Sequence, residues 1–260
     1  MKSTKMPVEK QAIIFKFGTF SVDLALRGIE AVLRERHVPF QGFRLYGDPV
    51  NLLEALPRLN EAKRKTFNIV GNDFEFDLSC VRNFHLDFLE IKYSGERRCS
   101  WDTWAAQFIG NRNFVMAWVA DADYEFWQNA EDPLQYVTKG KEYNHLPKRS
   151  NGLPFPLERT VIDISSNPGR RLLRDGYYEV VGAVMWLGET FWQLVGTERE
   201  RVKNADWIHV SNPIPSVTKI EVSAECFSTS VGVNGELQNR VRSLLFGNRS
   251  ALKEMGNHAS

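Results

Sequence analysis

The strongest constraint on the fold lies between Phe67 and Tyr93, where side-chain types alternate with a period of two. Phe67-Asn68-Ile69-Val70 leads to a turn at Gly71-Asn72-Asp73, and Phe74, Phe76 and Leu78 then alternate with Glu75, Asp77 and Ser79. Phe84, Leu86 and Phe88 alternate again, and the run continues through Ile91 to Tyr93. Successive side chains of a strand point to opposite faces, so this pattern buries one face of a sheet and leaves the other polar. A meander with one wet face implies an antiparallel sheet.

Helical spacing flanks the meander. Ala12–Phe17 reads as a buried strand, Ser21 as a helix N-cap, and Leu26, Ile29, Val32 and Leu33 as the apolar stripe of a helix ending near Arg36. A second helix is expected over 50–65, with Pro57 as an obstacle to its middle. A short helix over Trp101–Ile109 and a strand over Phe114–Val119 follow. In the second half, strands are expected at Val161–Ile164 and Tyr178–Leu187, and an alternating one over Ile220–Cys226. Helices are expected from Glu189 and over Gly235–Phe246. The fold class is therefore α+β, with antiparallel or mixed sheets covered by helices, and two similar lobes as one arrangement. Residues 129–158 carry Pro133, Gly140, Pro147, Gly152, Pro154 and Pro156, a turn-rich stretch suited to a boundary. The expected organisation is an N-terminal lobe (1–130), a Pro/Gly-rich connection (131–158), a C-terminal lobe (159–247) and a frayed tail (248–260), or a single domain overall.

Composition narrows the function. A chain of 260 residues can bury roughly 70–75% of its unfolded surface, enough for a core without metal or disulfide. Its 33 Lys+Arg against 32 Asp+Glu give no basic excess, so direct nucleic-acid binding is not expected. No apolar run approaches the ~20 residues of a spanning helix, and Pro7, Glu9 and Lys10 replace the apolar stretch of a secretory signal. Cys80, Cys99 and Cys226 are odd in number and widely spaced, unlike a disulfide framework or zinc site. A cytoplasmic protein with no membrane partner and no cofactor is expected. Seven Trp and 17 Phe suit a Phe-rich core, with some Trp free to serve an interaction surface.

Three constellations could carry chemistry. Asp77 lies on one expected strand, while Glu90 and Lys92 share a face of the next. Two carboxylates can hold a divalent metal and a Lys can orient the attacking water. The order of elements here resembles the core of restriction-like nucleases, although Phe76 stands where that family carries a Pro. A charge-paired strand face explains the same residues. Asp121-Ala122-Asp123 follows a strand and precedes a helix, as a metal-binding Asp-x-Asp or as a cap answering the helix dipole. Asn167-Pro168-Gly169-Arg170-Arg171, with Arg174, is either an anion-gripping turn or a set of ion-pair partners for acids such as Asp163 or Asp175. The five histidines form no zinc helix, and no nucleophile elbow or phosphate loop occurs.

One stretch carries a family resemblance. It runs Asp163-Ile164-Ser165, Asn167-Pro168-Gly169-Arg170, Gly176-Tyr177, Gly182-Ala183-Val184-Met185-Trp186-Leu187-Gly188 and Phe191-Trp192, with Leu244-Leu245-Phe246 near the end. Together these residues are similar to bacterial immunity proteins of polymorphic and type VI secretion toxin systems. The resemblance covers about a quarter of the chain. It implies a non-enzymatic protein that binds and neutralises a cognate toxin, for instance a nuclease effector, and it supplies no catalytic residues. A nuclease inhibitor can offer acids in place of phosphates. On that ground Asp121, Asp123 and Glu125, with Trp127 as an aromatic anchor, are the expected partner contacts. The alternatives are a metal-dependent nuclease using Asp77, Glu90 and Lys92, or a scaffold or adaptor protein.

Overall fold

The computed structural model describes residues 7–96 and 98–256, with side chains from 248 onward outside that description. The tail expected over 248–260 therefore lies outside the described side chains. The chain begins β1 (Glu9–Lys16), α1 (Val22–Glu35), β2 (Phe43–Leu45), β3 (Asp48–Val50) and α2 (Leu52–Glu61). The meander follows as β4 (Phe67–Gly71), β5 (Phe74–Val81) and β6 (Leu86–Tyr93). Next come α3 (Trp101–Ala106), β7 (Phe114–Asp121), α4 (Ala122–Gln128) and α5 (Pro133–Thr138). A small excursion holds β8 (Lys148–Ser150) and β9 (Thr160–Ile162), and a second hairpin holds β10 (Leu172–Arg174) and β11 (Tyr177–Glu179). The chain closes with β12 (Val184–Gly188), α6 (Glu189–Val195), α7 (Arg199–Lys203), β13 (His209–Ile214), β14 (Val217–Glu221) and α8 (Gly232–Gly256).

Ten strands form one sheet in the order β13-β14-β12-β7-β1-β6-β5-β4-β2-β3. Every pairing within it is antiparallel. Strands from 1–130 and from 159–247 thus share one hydrogen-bonded ladder, joined where β7 meets β12. The edge strands β3 and β13 carry Pro49 and Pro213, which remove donors from otherwise open ladder edges.

Two apolar layers cover the sheet diagonally. On one face, α1, α2 and α3 pack Leu26, Ile29, Leu52 and Trp104 against Ile13, Phe15, Phe76 and Ile91. On the other face, α6 and α8 pack Phe191, Trp192, Val241 and Leu245 against Ile14, Met116, Trp118 and Met185. The odd and even residues of β1 feed these two layers separately, as strand alternation requires. Five of the seven Trp are buried, namely Trp101, Trp104, Trp118, Trp186 and Trp192, which leaves Trp127 and Trp207 half-buried. Among the described residues no helix is long and apolar enough to cross a membrane.

Several expected boundaries shift for local reasons. Helix α2 includes Pro57, whose missing N–H leaves the Leu53 carbonyl without its helical donor. Both residues are exposed, so water can serve that carbonyl. The single strand expected over Tyr178–Leu187 is two, β11 and β12, separated by Val180–Ala183. Here the backbone runs against β7 so closely that a Cβ on Gly182 would stand 2.7 Å from the Val119 carbonyl oxygen. The turn-rich stretch 129–158 is partly regular, with α5, β8 and a small apolar cluster of Ala130, Tyr136, Ile162 and Ile164 against which Trp127 packs.

Candidate functional site: a charge-paired cavity beside an open sheet face

On the side of the sheet that α6 and α8 cover lie the polar positions of the meander, where Asn68, Glu75, Asp77, Ser79 and Lys92 are half-buried and Val70 is exposed. Register sets them in rows. Lys10 on β1 stands opposite Lys92 on β6, which stands opposite Glu75 on β5. One step along, Glu90 stands opposite Asp77, which stands opposite Asn68. Like charges directly opposite each other are unfavourable, so Lys10 facing Lys92 and Glu90 facing Asp77 need diagonal relief. Glu90 provides it: its carboxylate lies 2.9 Å from Lys10 Nζ and 3.3 Å from Lys92 Nζ. Lys92 also reaches Glu75 at 3.2 Å.

The titration of these groups follows from their neighbours. Burial alone would raise the Glu90 carboxyl, but Lys10 and Lys92 outweigh it and hold the group below its ordinary value. Lys92 is held above its ordinary value because Glu90 and Glu75 outweigh the opposing effect of burial. Asp77 is raised, chiefly by burial, with Glu90 across the strand adding to the effect and Asn68 opposing it.

Helix α4 closes one side of the row. Asp121 ends β7 and caps α4, its carboxylate accepting from the Tyr124 N–H at 2.8 Å. One turn on, Glu125 points back under the helix and is only 3% exposed. Its Oε2 accepts from Trp118 Nε1 at 3.2 Å. Its Oε1 is held by charge between Lys10 Nζ at 3.1 Å and Arg171 at 2.9 Å, without an aligned hydrogen bond. Lys10 therefore bridges two buried carboxylates, and Arg171 supplies the second cation. Above this floor opens a cavity of about 670 Å³, whose rim carries Asp123, Phe126, Trp127, Lys139 and Lys141. Trp127 Nε1 donates to Asp123 at 3.0 Å, Phe126 meets the Trp127 ring edge-on, and Lys141 sits 4.2 Å from the ring centre.

The expected contact residues thus divide. Asp121 and Glu125 are buried and tied to the protein, as a cap and as a charge hub, so neither presents an open carboxylate. Asp123 is exposed and Trp127 half-buried, both on the cavity rim. Asp77, Glu90 and Lys92 do share one sheet face on adjacent strands. Among the described residues, no group of three or more His, Cys, Asp or Glu side chains is arranged to hold a metal ion.

The basic turn at 167–171 pairs differently from the sequence-based expectation. Arg171 reaches Glu125 and Arg174 reaches Glu179 at 2.9 Å, in place of Asp163 or Asp175. The turn is held by α8, from which the buried Arg242 donates to the carbonyls of Pro168 and Arg170. Burial pulls the Arg242 guanidinium down to about 10, with Arg170 nearby adding to the effect. Lys10 and Arg242 are structural charges that the sequence patterns did not single out, whereas Arg171 was expected to pair with an acid but with a different one. Lys10 had a signal, since period two places it on the face of Ala12 and Ile14. Arg242 had none, because its partners lie about seventy residues away in sequence. Burial pushes the Cys99 thiol up to about 11 and that of Cys226 to about 12, so both are protonated near neutral pH.

Together the sheet and the cavity define an α+β protein built on a ten-stranded antiparallel sheet, with a preformed polar recess beside a half-buried polar sheet face. A solved structure described as Pseudomonas aeruginosa T6SS protein PA0821 is similar to it, with a TM-score of 0.54 over 94% of this chain and 76% of that one, at 10% identity. That likeness is one of fold. No family model and no curated protein matches the chain.

Proposed function

We propose that this chain is a non-enzymatic immunity protein associated with type VI secretion, which binds a cognate toxin through the rim of the charge-paired cavity. The observation that carries the reading is the contrast between floor and rim. On the floor, Glu90 and Glu125 are each held by two protein cations, so a reacting group or metal would have to displace existing pairs. On the rim, an edge-on Phe126–Trp127 pair stands among Asp123, Lys139 and Lys141, the mixture of aromatic anchor and charge that binding hot spots favour. Fold likeness to a protein described as a T6SS protein supports the secretion context. Resemblance of the 162–196 stretch to immunity proteins supports the inhibitory role.

The test is growth rescue. In cells expressing a cognate toxin, co-expression of the chain should restore growth. A variant combining Phe126→Asp with Trp127→Ala should lose protection while keeping its far-ultraviolet circular dichroism. Because Asp77, Glu90 and Lys92 share a face, the nuclease reading has its own assay. Cleavage of plasmid by purified protein with magnesium or manganese, abolished by Glu90→Ala, would overturn the proposal.

A further inference from the structure

A second cavity, of about 490 Å³, opens on the sheet face that α1, α2 and α3 cover. Four segments meet there: the loop from β1 into α1, the chain leaving α2, the end of β5 and the start of β6. Its inner wall is apolar. Phe20, Val22 and Leu78 reach it from the core, and Phe17, which also lines it, is 39% exposed. The charges around it are one-sided once existing pairs are set aside. Asp23 is taken by Arg27 at 2.9 Å, and the buried Asp87 accepts from the backbone N–H groups of Thr19 and Phe20, each at 3.1 Å. The lining cations Arg64, Lys65 and Arg82 are exposed, and no carboxylate among the described residues pairs with any of them. Arg64 leans on the Tyr46 ring at 5.6 Å, a contact that does not neutralise it.

We propose that this cavity binds a small amphipathic anion, an apolar chain ending in an acidic head group. Size favours a small molecule, because the recess is concave and its volume falls within the range of small-molecule sites. The apolar wall selects the body of the ligand: water held against Phe17, Phe20 and Leu78 is released when a hydrocarbon chain replaces it. The unpaired cations select the head. Arg side chains present forked donors that match a carboxylate or phosphate, whereas a cationic head would meet like charge at Arg64, Lys65 and Arg82. Orientation follows from Asp87. A carboxylate entering head-first would approach that buried acid, so the chain lies inward and the head stays at the mouth.

The site is independent of the toxin-binding reading. It shares no lining residue with the charge-paired cavity and lies on the opposite face of the sheet.

Cys80 provides the readout. It lines the cavity and is exposed, whereas burial keeps the thiols of Cys99 and Cys226 protonated. Alkylation of the full chain by iodoacetamide, followed at Cys80 by peptide mass, should slow about tenfold in saturating decanoate below its micelle-forming concentration. Acetate, which has the head without the chain, and decyltrimethylammonium, which has the chain with the opposite charge, should leave the rate unchanged. By titration calorimetry, a variant with Lys65→Glu and Arg82→Glu should bind decanoate about tenfold or more weakly. Its thermal unfolding should be unaltered, because both side chains are exposed and unpaired. An unprotected Cys80 in decanoate overturns the site. So does equal protection by either control, or undiminished decanoate affinity in the double variant.

Discussion

Lys10 shows how a single buried charge can organise a site. Its Nζ lies within 3.1 Å of both Glu90 and Glu125, and each of those carboxylates has one further cation. Replacing Lys10 by Met would keep the length and apolar body of the side chain while leaving two buried acids short of charge. Removing one partner from a buried network costs about 3 to 5 kcal/mol. The Lys10→Met variant should lose about that much stability in urea denaturation near neutral pH. The pH dependence has a definite sign. Glu90 is held below its ordinary value in the folded state, so its contribution is present above the unfolded carboxyl range and is lost as pH falls through the folded value. The gap between wild type and variant should therefore be full above about pH 5 and should shrink in acid. A gap that stayed constant down to about pH 3 would mean that packing, and not charge, holds Lys10 in place.

At the scale of elements, the crossing from β11 to β12 is the feature most sensitive to one atom. Gly182 lies where a Cβ would meet the Val119 carbonyl oxygen at 2.7 Å and the Trp118 Cβ at 2.8 Å. Its neighbour Ala183 receives the Val222 N–H and donates its own to Val119, tying β7, β12 and β14 together. Gly182→Ala must push backbone away from backbone, which no side-chain rotation can relieve. It should destabilise the protein by about 1 to 3 kcal/mol, read as a lower urea midpoint. An unchanged midpoint would show that the seam between the halves has slack. The apolar run over Tyr178–Leu187 was legible in sequence as one strand. That the glycine breaks the strand follows only from the approach of β7, a partner lying far away in the chain.

For the whole molecule, the consequence of one continuous sheet is cooperativity. Residues 1–130 contribute seven strands running from β7 to the β3 edge, and 159–247 contribute β12, β13 and β14. The second core cluster draws Ile14, Met116 and Trp118 from the first part and Phe191, Val241 and Leu245 from the second. Neither part keeps its buried surface without the other. Equilibrium unfolding followed by Trp fluorescence and by far-ultraviolet circular dichroism should give one coincident transition. Two separated transitions would indicate lobes that fold alone.

The sequence by itself determined the local grammar. The period-two run over Phe67–Tyr93, the Ser21 cap and the stripe from Leu26 to Leu33 are set by side chains within one turn or one strand of each other, and they gave the α+β class and the antiparallel meander. It also placed Glu90 and Lys92 on one face, because that follows from strand period alone. The tertiary structure decided which charges are spoken for. Glu125 is closed off by Lys10 and Arg171, drawn from elements far away in sequence. An acidic side chain reads the same in sequence whether it faces water or a buried cation. Only the packing of β1, α4 and the 167–171 turn fixes the difference.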